Sequence, residues 1–106
     1  MYYKEGERYE GDWINGIKEG KGIFSFNNGN KYVGDWKNDI REGKGIFYYK
    51  WGSRYEGDWK NGKREGTGVF YYNNGDKETG QYLKGEKIGK HTSVSKNGEV
   101  SYKKYN

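Results

Sequence analysis

The sequence predicts an all-β fold, an elongated, twisted, single antiparallel sheet of stacked hairpins. Three observations predict it. Tyr9–Lys31, Tyr32–Arg54 and Tyr55–Lys77 repeat one pattern at a spacing of 23 residues without insertion or deletion, and self-similarity at a fixed period marks an array of one small unit. Within each unit, large residues alternate with small or polar ones at a period of two, as in Tyr55-Glu56-Gly57-Asp58-Trp59 and Gly66–Tyr72, which is the strand period. Between those runs stands Asn15-Gly16 or Asn61-Gly62, the dipeptide that closes two-residue hairpins.

In chain order, Met1–Arg8 reads as the second half of a unit, because Tyr2 and Tyr3 fall in register with Tyr71 and Tyr72. Beginning in mid-repeat fits a half-unit edge strand or a segment cut from a longer array. The three full units follow, each two strands joined by Asn-Gly and linked to the next by Asn-Asn-Gly, as at Asn27–Gly29 and Asn73–Gly75. The second unit carries Asp39 at the turn glycine. Glu78–Val100 keeps the register but loses the chemistry: Tyr82 takes the Trp position, His91 the second Gly, and Ser93 and Ser95 replace Phe70 and Tyr72. Glu99–Tyr105 offers a last strand. We read residues 1–106 as one domain, with 78–106 as a degenerate, polar C-terminal cap.

Alternation puts Tyr9, Gly11, Trp13, Gly20, Gly22, Phe24 and Phe26, with their counterparts, on one face. Glu10, Asp12, Lys21 and Ile23 take the other. The glycines leave room for indoles to lie across the strands. A buried ring contributes roughly 1.5–3 kcal/mol, so such a face must curl on itself or be covered by a second chain.

The composition agrees. The chain has twelve Tyr, four Trp, four Phe and nineteen Gly, with neither Pro nor Cys. Without cysteine there is no disulfide framework, thiolate metal site or cysteine nucleophile, and a cytoplasmic location is the expectation. Of the net charge of +5, residues 1–76 carry 13 Lys/Arg against 12 Asp/Glu, whereas 77–106 carry 7 against 3. A nucleic-acid binder spreads cations along its binding face; this body is nearly neutral, so no nucleic-acid partner is expected.

The pattern YEGDW-x-NG-x-x-x-G-x-G, three times over, resembles the MORN repeat (membrane occupation and recognition nexus). The resemblance implies a stacked-hairpin sheet with a groove lined by its Tyr, Trp and Gly positions. It also implies a scaffold or docking role in ciliary and cytoskeletal proteins and in junction-forming membrane proteins, or attachment to lipid kinases and methyltransferases. The run Lys37–Gly45 resembles copies in radial-spoke-head proteins.

The candidate sites follow. No catalytic set is expected: His91 is the sole histidine and has no nucleophile motif around it. The Gly-x-Gly pairs lack a third glycine and a following helix, so they are not phosphate loops. Asp12, Asp35 and Asp58 stand roughly 9–10 Å apart, two strand spacings, too far to share an ion; no metal or cofactor is expected. The expected groove for a partner's amphipathic helix or extended segment is Tyr9, Trp13, Tyr32, Trp36, Tyr55 and Trp59, floored by Phe24, Phe47 and Phe70. A second copy could pair through the groove or a sheet edge. Trp51, at a turn position held elsewhere by Asn, is a candidate interface anchor. The row Lys18, Arg41, Arg64 and Lys87, with Lys90, reads as a solubilising edge or as contacts to an anionic membrane surface.

Overall fold

A computed structural model describes residues 6–106. Among these residues there are nine strands and no helix: β1 (Arg8–Ile14), β2 (Ile17–Ser25), β3 (Lys31–Lys37), β4 (Ile40–Tyr48), β5 (Arg54–Lys60), β6 (Lys63–Tyr71), β7 (Lys77–Leu83), β8 (Glu86–Val94) and β9 (Val100–Tyr105). They form one open sheet in chain order, each neighbour antiparallel, with a long axis of 47 Å. The half unit Met1–Arg8, with Tyr2 and Tyr3, lies largely outside the described residues.

The turns form as their residues dictate. Asn15 and Gly16 have φ of 52° and 81°, Asn61 and Gly62 52° and 80°, the double positive φ that matches strand twist in two-residue hairpins. Asp39 holds φ 67° without being glycine, and its Oδ1 accepts the Lys18 backbone N–H at 2.6 Å. Aspartate is one of the few non-glycine residues that reach this region, and its bond ties the turn to the preceding unit, 21 residues back.

The register sets the rest. Gly11, Gly22, Gly34, Gly45, Gly57, Gly68 and Gly80 pair in one unbroken row across seven strands. Beside it runs a row of rings, Tyr9, Phe24, Tyr32, Phe47, Tyr55 and Phe70. The two glycines of each Gly-x-Gly do different work. A Cβ on Gly22, Gly45 or Gly68 would run into the phenol of Tyr9, Tyr32 or Tyr55. Gly20, Gly43 and Gly66 instead take positive φ where the intra-hairpin register slips. Their open side seats Asp12, Asp35 and Asp58, and Asp12 and Asp35 accept the next backbone N–H, from Lys21 and Lys44, both at 3.1 Å. The expectation that all these glycines make room for rings is corrected here: the first glycine of each Gly-x-Gly shapes the backbone instead.

Candidate functional site

The ring face is built from one motif repeated. Tyr9 lies flat over Gly22 and donates its hydroxyl to the Asp12 carbonyl at 2.9 Å; Tyr32 does the same to Asp35 at 2.9 Å and Tyr55 to Asp58 at 3.3 Å. The next unit's indole then closes over it edge-on, with centroids 5.6 Å apart for Tyr9–Trp36 and 5.3 Å for Tyr32–Trp59. Each indole N–H donates back across the unit boundary, Trp36 to the Gly22 carbonyl at 3.3 Å and Trp59 to Gly45 at 3.1 Å. Burial raises the phenol pKa of Tyr32 and Tyr55, and pushes that of Tyr82 up to about 12.

This packing corrects the expected groove. Tyr9, Phe24, Tyr32, Trp36, Phe47, Tyr55 and Trp59 are buried in the chain's own core, Phe70 is half-buried, and only Trp13, 41% exposed, faces solvent. The sheet covers its rings with its own rings. What remains accessible is an outer row, Phe26, Tyr49 and Tyr72, half-buried, and Trp51, 55% exposed. Trp51 stacks on Tyr49 with centroids 4.8 Å and planes 25° apart, which widens the row into a ledge.

The basic row also stands differently from expectation. Lys18, Arg41, Arg64 and Lys87 pair opposite Trp13, Trp36, Trp59 and Tyr82, so their side chains lie on the ring face. Arg41 sits 4.8 Å over Trp59, and Arg64 4.8 Å over Tyr82. Each also bridges to the following turn: Arg41 Nη2 donates to the Gly62 carbonyl at 2.7 Å and Arg64 Nη2 to Gly85 at 2.5 Å. In the first unit Lys18 is buried among Tyr9, Trp13, Phe24 and Trp36, and pairs with Asp39 at 3.5 Å. The adjoining Glu19, Glu42 and Glu65 accept the first N–H of the same turns, from Asn38, Asn61 and Lys84. Cation and carboxylate together clamp the next unit, and four of the five expected lipid contacts are spent this way or inside the fourth unit. Lys90 alone of the five is exposed, opposite Lys104 on β9.

A matching clamp holds the other edge. Asn30, Ser53 and Asp76 accept the N–H of Lys50, Asn73 and Lys96 from the next loop.

In the fourth unit the ring comes from the opposite strand. Glu78 holds the tyrosine position and His91 the glycine position. The imidazole fills the space the phenol fills elsewhere: a Cβ on Gly80 would meet its ring, and Nε2 lies 2.9 Å from the Gln81 carbonyl, the counterpart of the Asp carbonyls. Nδ1 lies 2.8 Å from Glu78. Glu78 also accepts from Lys87 and from the Tyr72 hydroxyl, each at 3.1 Å. Burial opposes its ionisation, but the bonds from Lys87, Tyr105 and Tyr72 outweigh that and hold its carboxyl below the ordinary value. Burial likewise disfavours the Lys87 ammonium, and Tyr72 and Glu78 overcome it, so its pKa is raised. The sequence signalled this exchange, since Tyr→Glu and Gly→His occur together in one unit.

The family model for the MORN repeat matches residues 9–31, 32–54 and 55–77, more than half of the chain. The chain belongs to the MORN-repeat family. MORN repeats are in general non-catalytic modules with binding or scaffold roles. No curated protein matches the chain. Among the described residues no cluster of three or more His, Cys, Asp or Glu could hold a metal ion, and no helix is long and apolar enough to cross a membrane. The salt links of Lys21 with Asp35 and of Lys44 with Asp58 tie successive MORN units across the back face.

Proposed function

We propose that this MORN array is a docking scaffold that takes a protein segment, helical or extended, along its outer aromatic row in a cytoplasmic, cytoskeletal or ciliary assembly. The observation that carries the reading is the Tyr49–Trp51 stack. Tyr49 packs against the core and holds in place the exposed Trp51 ring, which stands at a loop where the sister units hold Asn, and exposed aromatics of this kind anchor interfaces. The clamped repeats keep the ledge in place along a stiff ribbon, so little ordering cost accompanies binding. A photo-crosslinker at position 51, compared with one at Lys44 on the back face, tests it. The reading expects a protein crosslinked from 51 and not from 44, with affinity for the purified chain falling about tenfold or more in Trp51→Ala. Equal capture from both positions, or affinity indifferent to Trp51→Ala, contradicts it.

The second reading is an anionic membrane surface met by the C-terminal end. Lys90 and Lys104 stand directly opposite each other, and Lys90 Nζ lies 4.4 Å from the ring of the exposed Tyr102. Sedimentation with phosphatidylserine vesicles at rising salt separates the two, because only this reading loses binding as charge is screened.

A further inference from the structure

Six rings stack in a continuous ladder along the outer half of the ring face: Phe24, Phe26, Phe47, Tyr49, Phe70 and Tyr72. Successive centroids are 4.7, 5.6, 4.8, 5.7 and 4.7 Å apart. The period of 23 then calls for rings at 93 and 95, and the chain supplies Ser93 and Ser95. In the inner row Phe70 pairs with Glu78, Glu78 with Ser93, and Ser93 with Ser101, so ring positions on three successive strands are empty of rings. A cavity lies there, lined by Tyr72, Glu78, Ser93, Ser95 and Ser101 and, from the neighbouring row, by Lys77, Val94 and Val100, with Asp76 and Glu99 at its margin. Its size follows from the truncated side chains, and its position is the next step of the ladder.

We propose that this cavity is a socket for one aromatic side chain of a partner protein, with tyrosine preferred. The ladder spacing puts the incoming ring about 5 Å from Tyr72, the separation at which aromatic pairs attract. The lining offers the hydroxyls of Ser93 and Ser101 and the Glu99 carboxylate at its margin, whereas Ser95 Oγ already accepts the N–H groups of Asn97 and Glu99, and Glu78 already accepts from Lys87 and the Tyr72 hydroxyl. A phenol therefore finds at the wet end of the socket the bond that a plain benzene ring lacks. The socket is a separate site from Trp51, which does not line it, although the ladder that leads to it runs through Tyr49 and Tyr72 of the outer row.

The test is a titration of the ¹⁵N-labelled chain with p-cresol, with toluene and N-acetylargininamide as comparisons. The expected result is saturable amide shifts confined to Tyr72, Ser93, Ser95 and Ser101. p-Cresol should bind about threefold or more tighter than toluene, for one added hydrogen bond. Ser93→Phe, which restores the ring of the repeat and leaves the Ser95 bonds to its loop intact, should abolish the shifts; Ser93→Leu serves if that variant does not fold. Absence of saturable shifts at these residues, shifts that persist in the filled variants, or tighter binding of the arginine probe each overturns the socket. Because the probes never touch Trp51, failure here leaves the ledge reading standing, and the converse holds.

Discussion

His91 Nδ1 and the Glu78 carboxylate lie 2.8 Å apart in a position where the other three units place a tyrosine over a glycine. The two substitutions compensate each other, since either one alone breaks the unit. His91→Gly leaves a void beside Glu78, which keeps its bonds from Lys87 and Tyr72; Glu78→Tyr drives a phenol into the imidazole. Each single change should cost about 2–4 kcal/mol. The double variant Glu78→Tyr/His91→Gly restores the repeat and should recover most of the loss. Urea denaturation of the four proteins gives the coupling directly; additive losses would mean the pair is not a unit.

The buried phenols predict an alkaline limit. Tyr32, Tyr55 and Tyr82 have raised pKa values because burial penalises phenolate. Their contribution is complete below the unfolded value near 10 and falls away as pH climbs through the folded value, about 12 for Tyr82. Tyrosinate absorbance should therefore rise in two steps. The later step belongs to the buried set, which ionises together with loss of near-ultraviolet circular dichroism.

Acid acts at the other end of the scale. Burial opposes ionisation of Asp35 and Glu78, but hydrogen bonds from Lys21 to the first, and from Lys87 and the tyrosines to the second, lower both pKa values. Stability from these groups is present above the ordinary carboxylate range and lost as pH drops through it. Glu78→Gln should flatten the acid limb of a Tm-against-pH curve while lowering Tm at neutral pH.

The two glycine roles separate by substitution. Gly45→Ala pushes a methyl into the Tyr32 ring and should cost roughly 3 kcal/mol or prevent folding. Gly16→Ala meets no atom within 4 Å and is opposed only by φ of 81°, at about 1 kcal/mol. Thermal melts of the two variants check the ranking.

The clamps predict loss of cooperativity. Arg41→Gln removes the bond to the Gly62 carbonyl at 2.7 Å and the cover over Trp59. It should cost about 1–2 kcal/mol and broaden unfolding, because repeat arrays depend on nearest-neighbour coupling. A calorimetric enthalpy exceeding the van't Hoff enthalpy in this variant, and not in the parent, is the expected readout.

Strand order, turn chemistry and the shared ring face were legible because they depend on local periods of two and 23, which the residues display. What the sequence alone left unread needed the cross-strand register. The slip beside Gly20 lets the exposed Asp12 side chain bond the Lys21 backbone, and nothing in the string of letters separates that glycine from Gly22. Register also puts Arg41 opposite Trp36 and within reach of Gly62, 21 residues on, so a row read as a solvated edge is a coupling device. The expected groove failed as an open surface for a related reason: Trp36 and Trp59 each reach into the preceding unit, a contact that alternation alone does not reveal.

Indole hydrogen exchange tests the central claim, that the ring face is the chain's own core, open only at Trp13 and along its outer ledge. The four Trp Nε1–H signals are resolvable by NMR. Trp36 and Trp59, buried and bonded to Gly22 and Gly45, should exchange slowly and together, whereas Trp13 and Trp51 should exchange at once. Equal, rapid exchange of all four would mean an uncovered face and would contradict the account.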